Sequence, residues 1–279
     1  MDEGHVAEQG NERRMHPSFL NVLKQKERVK LSLAAVKHKV GIYSAKGGVG
    51  KTTIAVNLSY TLMSMGFKVG LLDADIDCPN IGMFLGTEAK IEPVLPLVPV
   101  ELHGMKIAST AMIVDDQKRP IIWRGPIIAK MLGDFLENTA WGELDYLVID
   151  LGPGTSDAPL TTMQLVSLDG FVLVTTPQRI AAINSLRSGL MAKRLSSSIV
   201  GVVENMSDGT PSNNTVEMAA ALGARVLGCI TYDKIFNTSS DKGEPAVASG
   251  ARAAAEFRAI AERLVAAHAG RFTDLPSQQ

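Results

Sequence analysis

The chain has 279 residues, of which 46% are hydrophobic, and its formal net charge is −1. This balance implies no polycationic surface for nucleic acid or anionic lipid. The two cysteines, Cys78 and Cys229, lie far apart in the sequence, which argues against a disulfide scaffold and favours a reducing, cytoplasmic setting. Residues 1–17 lack the apolar stretch of a signal peptide, and no apolar run approaches the roughly 20 residues that span a bilayer. We therefore expect a soluble protein with no nucleic-acid and no membrane partner.

The N-terminal part differs in composition from the rest of the chain. Residues 1–17 are polar and mixed in charge, and we expect them to form a mobile arm. Residues 18–37 are basic with spaced leucines and valines, which predicts a helix over the domain surface. Its basic residues could contact RNA or a membrane, but acidic neighbours and the even overall charge favour a solvated helical face. We therefore divide the chain into an arm with a surface helix, 1–37, and one domain, 38–279.

Short apolar runs alternate with helical patterns along this domain. Residues 40–44 and 68–73 are typical of buried strands, and between them Ile54, Leu58 and Leu62 recur at helical spacing. Further strands are predicted at 105–109, 146–150, 170–175, 199–203 and 226–230, and helices at 180–195, 215–222 and around Phe257 to Val265, while the topology of 91–114 stays open. Apolar strands joined through helices predict an α/β fold: a doubly wound, mostly parallel sheet with helices on both faces.

The stretch Lys-Gly-Gly-Val-Gly-Lys-Thr-Thr at 46–53 follows the first predicted strand and has the composition of a phosphate-binding loop. Glycines let successive backbone N–H groups point into one concavity, and the next helix adds its positive dipole end. Lys51 supplies a charge for the β- and γ-phosphates, and the Thr52 hydroxyl can ligate Mg²⁺. The predicted nucleotide-binding residues of this loop are Gly47, Gly48, Val49, Gly50, Lys51, Thr52 and Thr53. Ala45 replaces the first glycine of the strict pattern, and Lys46 is an additional lysine.

Three aspartates lie at or just after predicted strand ends, where the ligands of open α/β sheets bind. Asp150 precedes Leu-Gly-Pro-Gly-Thr, the pattern of a magnesium-binding carboxylate followed by a glycine-rich switch. In Asp-Ala-Asp-Ile-Asp, Asp73 and Asp75 suit a switch in which one carboxylate holds a metal-bound water and another orients the attacking water. The alternatives are a solvated acidic turn or a calcium loop. The calcium loop fails because Cys78 stands where its glycine is required.

Asn205 follows the predicted strand 199–203, and its side-chain amide offers the donor and acceptor that suit a purine edge. No Asn-Lys-x-Asp guanine motif is present, so adenine is preferred. The five histidines are scattered without metal-ligand spacing: His5, His16, His38, His103 and His268.

These residues together resemble a known family. The loop at 46–53 is similar to the deviant Walker A motif of the MinD/ParA/nitrogenase-iron-protein class of P-loop NTPases. Within that class, further stretches resemble the Mrp/ApbC group of iron–sulfur cluster carrier ATPases. They are Asp-Ala-Asp-Ile-Asp-Cys-Pro-Asn at 73–80, Trp-Arg-Gly-Pro at 123–126, Trp-Gly-Glu-Leu-Asp-Tyr-Leu-Val-Ile-Asp at 141–150, Gly-Pro-Gly-Thr-Ser-Asp at 152–157, Thr-Thr-Pro-Gln at 175–178, Glu-Asn-Met-Ser at 204–207 and Asp-Lys-Gly-Glu-Pro at 241–245.

The resemblance implies a slow homodimeric Mg²⁺-ATPase that binds ATP and ADP, with the nucleotide held between two subunits. Lys46 would then reach the partner's phosphates, and Lys46, Lys51 and Asp75 would be the catalytic residues. Thr52, Asp73 and Asp150 would hold the metal or its waters. Asn205 would contact adenine, and a loop at Tyr232 and Asp233 would close the base pocket.

The chain departs from the resemblance at one place. Carriers of this group have Cys-x-x-Cys shortly after Glu-Asn-Met-Ser, whereas residues 207–214 contain no cysteine. Because iron–sulfur clusters need thiolates, a 4Fe–4S cluster bound by this chain alone is not expected. Cys229 is predicted to be a core residue, which leaves Cys78 as the substitute ligand. Two functions follow: an Mrp-type ATPase acting in iron–sulfur cluster or metallocofactor assembly, with a client apoprotein or a cysteine-bearing partner subunit, or a MinD/ParA-like positioning or regulatory switch without cluster chemistry.

Overall fold

A computed structural model describes residues 17–113, 125–154, 157–195 and 198–270. Its strands are β1 (Val36–Tyr43), β2 (Val69–Asp73), β3 (Val100–Leu102), β4 (Met105–Ser109), β5 (Leu144–Asp150), β6 (Gly170–Thr175), β7 (Ile199–Ser207) and β8 (Val226–Thr231). They form one sheet in the order β3-β4-β2-β5-β1-β6-β7-β8. Every pairing is parallel except the hairpin between β3 and β4. The doubly wound, mostly parallel sheet is therefore confirmed.

The helices are α1 (Pro17–Ser32), α2 (Lys51–Ser64), α3 (Ile81–Phe84), α4 (Gly125–Asn138), α5 (Asp157–Leu165), α6 (Arg179–Arg194), α7 (Asn213–Ala221), α8 (Ile235–Lys242), α9 (Ala246–Ser249) and α10 (Ala251–His268). Strands β2 and β6 are buried at every residue, which is the pattern of parallel strands covered by helices on both faces. The largest fully buried side chains of the core include Trp141, Tyr43 and Phe171. Within the described ranges, no helix has both the length and the apolarity of a membrane span.

The N-terminal boundary differs from the prediction. The first helix ends at Ser32, and β1 already begins at Val36, so a boundary between residues 37 and 38 would cut this strand. Val36 lies in β1 because it pairs in parallel register with Leu144 of β5. In addition, Val29 of α1 is fully buried, and α1 packs on α4 and α5. The surface helix is thus part of the domain's packing. Of the predicted arm at 1–17, Pro17 begins α1 and residues 1–16 lie outside the described residues, as do Trp123, Arg124, Thr155 and Ser156.

Strand β7 is longer than predicted and changes the setting of Asn205. The strand runs to Ser207 because Ser207 pairs with Thr231 of β8 past an irregularity in the register. Asn205 therefore lies inside the strand and not in the loop that follows it. The adjacent Met206 has a left-handed φ of 58°, which marks the irregularity in the backbone.

The topology brings the candidate residues to one edge of the sheet. Strand β1 lies in the middle of the sheet, and the loop at 46–53 leaves its carboxyl end. Asp73 ends β2 and Asp150 ends β5, and the two residues are direct partners in the parallel register. Residues that end neighbouring parallel strands share the crevice in which α/β proteins bind ligands.

Candidate nucleotide-binding site

The loop between β1 and α2 has the backbone of an anion-binding cradle. Gly48 and Gly50 have φ values of 80° and 89°, a left-handed region that favours glycine. Gly50 is the N-cap of α2, and no described side chain caps that turn. The first N–H groups of α2 are thus left for an anion, which the helix dipole also favours. The geometry fits the predicted phosphate loop.

The two lysines of the loop have opposite environments. Lys51, the first residue of α2, is buried, and burial lowers the pKa of its ammonium group while the charges of Asp150 and Asp75 act to raise it. Lys46, by contrast, is exposed. Lys51 therefore faces the carboxylates inside the site, whereas Lys46 is accessible from outside.

Thr52 and Asp150 form the corner that suits a magnesium ion. The Thr52 hydroxyl donates to Oδ2 of Asp150 at 2.6 Å, and Oδ1 of Asp150 is buried without a hydrogen-bond partner among the described residues. The pKa of Asp150 is raised to about 7, chiefly by burial and also by the charge of Asp75, while the Thr52 hydrogen bond and the Lys51 charge act to lower it. A hydroxyl and an unpartnered carboxylate oxygen are hard ligands, and they fit Mg²⁺ and its waters.

The Asp73 carboxylate accepts three hydrogen bonds from the protein, which its predicted role near the metal did not anticipate. Its Oδ2 accepts from the Ile81 N–H and the Ser109 hydroxyl, both at 3.1 Å, and its Oδ1 accepts from the Asp75 N–H at 3.2 Å. Burial, and then the charge of Asp150, raise the pKa of Asp73 well above its ordinary value. Asp73 thus anchors the segment from Asp75 to the start of α3, and its contact with a metal-bound water stays a prediction.

Asp75 belongs to the segment 73–80, which we call the first switch segment. It lies next to the glycine-rich segment 151–154 after β5, which we call the second switch segment. A Cβ placed on Gly152 would lie 3.3 Å from Oδ1 of Asp75, so the carboxylate packs against the backbone that follows β5. The same Oδ1 accepts a hydrogen bond from the Cys78 N–H. Burial raises the pKa of Asp75, and the Lys51 charge lowers it. The structure thus brings Asp75, Lys51 and Asp150 into one electrostatic cluster.

Asn205 contacts the phosphate loop directly. Its Nδ2 donates to the Val49 carbonyl at 2.9 Å, and the side chain is buried. Sequence reasoning missed this contact, because the two residues are 156 positions apart. In the β8–α8 loop, Tyr232 is exposed, and Oδ1 of Asp233 accepts a hydrogen bond at 2.9 Å from the N–H of Ile235, the first residue of α8. Tyr232 donates its N–H to the Ser207 carbonyl, so this loop lies beside the end of β7.

A cavity of about 360 Å³ opens beside the loop, between the ends of β6 and β7. Residues 46–49 line one side, and 176–178, Ala181 and Met206 line the other. Sequence reasoning gave no role to residues 176–178, although Thr-Thr-Pro-Gln at 175–178 was the motif that could have identified them.

Sequence reasoning also missed Asn57 of α2, whose side chain is buried between Thr53 and Val247. The indication in the sequence was that Asn57 is a polar residue among the apolar residues of the predicted helix.

The loop at 207–214, where the related carriers have cysteines, is closed by hydrogen bonds. Ser207 donates its hydroxyl to the Thr210 carbonyl at 2.8 Å and accepts from the Gly209 N–H. The fully buried carboxylate of Glu204 accepts from the Ser212 N–H, the Ser212 hydroxyl and the Thr215 hydroxyl. This loop therefore offers oxygen atoms that are already engaged and no thiolates.

Neither cysteine completes a cluster site. Cys78 is exposed after β2, and four inter-strand steps separate β2 from β7, about 19 Å at ~4.8 Å a step. Cys229 is half-buried and not the core residue predicted, because β8 is the edge strand. Burial raises the pKa of its thiol. Within the described ranges, no three His, Cys, Asp or Glu residues are grouped as for a metal ion. The described residues do not fit a 4Fe–4S cluster.

Comparisons with known proteins agree with this geometry. A family model described as NUBPL iron-transfer P-loop NTPase, of the ParA group, matches residues 35–265. An iron–sulfur cluster carrier protein of Methanocaldococcus jannaschii is 40% identical over 267 residues, which cover 89% of this chain and 91% of the relative. One from Methanococcus maripaludis is 36% identical over 252 residues, which cover 85% of this chain and 87% of the relative.

Solved structures share the fold. A nucleotide-binding protein from Archaeoglobus fulgidus in complex with ADP is 33% identical with a TM-score of 0.68, and the match covers 79% of this chain and 92% of the other. The septum site-determining protein MinD of Pyrococcus horikoshii, complexed with Mg-ADP, is 23% identical with a TM-score of 0.61, covering 82% and 96% of the two chains. This chain belongs to the family of ParA-type, NUBPL-like iron-transfer P-loop NTPases, which confirms the resemblance to the Mrp/ApbC group.

Proposed function

We propose that this chain is a cytoplasmic, Mrp-type ATPase that binds and slowly hydrolyses ATP as a homodimer and acts in iron–sulfur cluster handling. One observation carries the proposal. The Thr52 hydroxyl and Oδ1 of Asp150 lie beside the buried Lys51 at the start of α2; among the described residues, that oxygen has no hydrogen-bond partner and no side chain caps the helix. Such an arrangement suits a magnesium-bound triphosphate, because it combines N–H donors, one fixed cation and hard oxygen ligands.

Phosphoryl transfer needs positioning and charge stabilisation more than covalent chemistry. The N–H groups of residues 47–53 would cradle the β- and γ-phosphates, and Lys51 would neutralise the charge that develops on the transferred group. Thr52 and Asp150 would hold Mg²⁺ or its waters, and the ion would supply further charge neutralisation. Asp75 would orient the attacking water and accept its proton, and its raised pKa suits that task.

Two further features support a shared site. Lys46 is exposed beside the cavity that residues 46–49 line. A second copy of the chain could place the phosphates of its bound nucleotide there. The Asp75 carboxylate packs against Gly152, so a change at the γ-phosphate would reach both switch segments together. We infer that hydrolysis changes the geometry of the dimer.

Adenine would lie near Asn205 and the β8–α8 loop. With Nδ2 of Asn205 bonded to the Val49 carbonyl, its Oδ1 remains as an acceptor for the amino group of adenine. Tyr232 is exposed in the neighbouring loop and could close over the base.

The cargo of the switch requires ligands that this chain does not provide. The curated relatives are named iron–sulfur cluster carrier proteins, whereas residues 207–214 are cysteine-free and closed by hydrogen bonds. We propose that the thiolates come from a client apoprotein or a cysteine-bearing partner subunit, and that this chain supplies the nucleotide-driven step.

ATP hydrolysis by purified protein tests the site. The rate is measured for wild type, Lys46→Ala, Asp75→Ala and, as a matched lysine control, Lys68→Ala, whose exposed side chain lies at the opposite end of β2. We expect Lys46→Ala and Asp75→Ala to lose most of the activity and Lys68→Ala to keep it. Equal rates for all four proteins would overturn the site assignment.

A second candidate function is a MinD/ParA-like positioning or regulatory switch, although the comparisons do not favour it, because the curated relatives are named iron–sulfur cluster carrier proteins. The closed, cysteine-free loop after β7 favours it, because no cluster chemistry is then needed. Binding partners separate the two functions: association with cysteine-rich apoproteins supports cluster handling, and association limited to a partner without cysteines supports the positioning switch.

A further inference from the structure

The Asp-Lys-Gly-Glu-Pro segment at 241–245 lies outside the nucleotide site and has no role in the function proposed above. Its glycine, Gly243, ends α8 with a left-handed φ of 73°. A second glycine, Gly86, follows α3 with a φ of 59°. Left-handed backbone favours glycine at both positions, as at many helix ends.

The two glycines are in direct backbone contact. A Cβ on Gly86 would lie 2.9 Å from the Cα of Gly243, and a Cβ on Gly243 would lie 2.6 Å from the nitrogen of Gly86. The atoms that such a Cβ would meet are backbone atoms, which cannot swing aside like a side chain. A methyl group on either residue must therefore separate α3 from α8.

From Gly86, a short hydrogen-bonded segment leads back to the candidate catalytic carboxylate. The Gly86 N–H bonds to the Met83 carbonyl, and the Leu85 N–H bonds to the Ile81 carbonyl. Ile81 in turn donates its N–H to Asp73, which also accepts the N–H of Asp75. A displacement of α3 therefore reaches Asp75 through the Asp73 carboxylate.

From Gly243, a second segment leads to the helix that begins the phosphate site. The Glu244 N–H bonds to the Ser239 carbonyl, and α9 follows at once. The Val247 N–H donates to Oδ1 of Asn57 at 3.1 Å, and Nδ2 of Asn57 donates to the Thr53 carbonyl at 2.8 Å. The segment after Gly243 is thus held on α2, close to Thr53.

We propose that the Gly86–Gly243 contact is a positioning contact for hydrolysis: it fixes the Asp75 segment against α2 and so sets the carboxylate relative to the γ-phosphate. This inference rests on the ATPase function proposed above. Asp-Lys-Gly-Glu-Pro at 241–245 thereby acts as a support for the first switch segment.

The test compares Gly86→Ala and Gly243→Ala with Gly270→Ala. Gly270 is the matched control, because its φ is 63° and a Cβ there would meet no described atom within 4 Å. We expect Gly86→Ala and Gly243→Ala to lower kcat about tenfold to a hundredfold, as a small misplacement of a catalytic group does, and to leave the dissociation constant for ADP within about threefold. The Gly86→Ala/Gly243→Ala double variant should lose little beyond either single variant, because both remove one contact.

Three results would overturn the inference while wild type is active: kcat values equal to that of Gly270→Ala, equal losses in kcat and ADP affinity, or additive losses in the double variant. An inactive wild type would instead overturn the proposed function. If the variants do not fold, hydrogen exchange of wild type with a non-hydrolysable ATP analogue decides. Joint protection of residues 81–87 and 243–247 supports the contact, and protection of the first segment alone contradicts it.

Discussion

The hydroxyl of Thr52 donates a 2.6 Å hydrogen bond to Oδ2 of Asp150, and the other oxygen of that carboxylate is buried without a hydrogen-bond partner among the described residues. A buried carboxylate oxygen left unpartnered is costly unless a ligand satisfies it. The relationship therefore links the end of β5 to the start of α2 and marks the corner at which we propose that a hydrated cation binds.

Replacing Asp150 with Asn should weaken magnesium binding at the site and so reduce the activation of hydrolysis by magnesium. The amide keeps the size of the carboxylate but loses its charge, so we expect kcat for ATP to fall about a hundredfold or more, comparable with the loss of one electrostatic stabiliser elsewhere. Magnesium titrations of hydrolysis measure the effect. Asp145→Asn is the control, since Asp145 lies at the opposite end of β5 and pairs with Lys37. An Asp150→Asn enzyme with wild-type magnesium dependence would contradict the assignment.

Replacing Asn205 with Ala should weaken nucleotide binding and reduce the selectivity for ATP over GTP. Loss of the bond to the Val49 carbonyl leaves a buried acceptor unsatisfied, a cost of about 1–3 kcal/mol, or roughly fivefold to 150-fold in affinity. We expect ATP to lose more than GTP, because Oδ1 is the proposed acceptor for the adenine amino group. Titrations with both nucleotides measure this. Equal losses would mean that Asn205 only holds the loop.

His268 should make the fold sensitive to mild acid. Its ring stacks on His38 at 4.5 Å between centroids and lies near Tyr146, and neither ring nitrogen has a hydrogen-bond partner among the described residues. Burial, and then the charge of His38, lower the pKa of His268 to about 4, while Asp169 opposes the shift.

The sign of the pH effect follows from that pKa. The unfolded chain binds a proton near pH 6.5, which the folded chain does not bind until about pH 4, so the free energy of unfolding should fall as the pH drops through this window. Urea unfolding of wild type and of His268→Phe, which keeps the ring, measures the loss. His268→Phe should lack the part of this loss of unfolding free energy that comes from protonation of His268. His103→Asn, a change at an exposed turn histidine, should behave as wild type. Parallel pH profiles for wild type and His268→Phe would refute this.

Glu204 should hold the loop at 207–214 closed. Its carboxylate accepts from the N–H and hydroxyl of Ser212 and from the Thr215 hydroxyl, and Ser212 is the N-cap of α7. Glu204→Ala leaves these donors unpaired, so we expect a destabilisation of about 2–4 kcal/mol and faster proteolysis between β7 and α7. Glu217→Ala, at an exposed position on α7, is the control. A stability within 0.5 kcal/mol of wild type, about the scatter of ordinary surface changes, would argue against the clamp.

The sequence predicted the elements that local pattern determines. Apolar runs identified β2, β5 and β6, and the glycine and lysine spacing identified the phosphate loop between β1 and α2. The hairpin of β3 and β4 was only half predicted, because residues 91–114 are rich in proline and lack a clear period. The extension of β7 to Ser207 depends on pairing with Thr231, which no local pattern reports.

Contacts between distant residues explain the rest of the differences. The bond from Asn205 to Val49, the Gly86–Gly243 contact and the stacking of His38 on His268 each join residues more than 150 positions apart. His38 and His268, which are far apart in the sequence, are thus neighbours only in the folded chain. Asp73 was expected at a metal-bound water, and the contribution of Ser109 to its burial could not be read from the segment around it.

The most direct test of the account is the iron content of anaerobically reconstituted protein, measured on a sample whose ATP hydrolysis is followed at the same time. The account predicts a colourless protein that hydrolyses ATP with Mg²⁺ and retains no stoichiometric iron unless a cysteine-bearing partner is added. A stoichiometric 4Fe–4S signal in the chain alone, lost in Cys78→Ser or Cys229→Ser, would contradict the claim that the cluster ligands come from elsewhere. Absence of ATP hydrolysis would contradict the nucleotide-driven function itself.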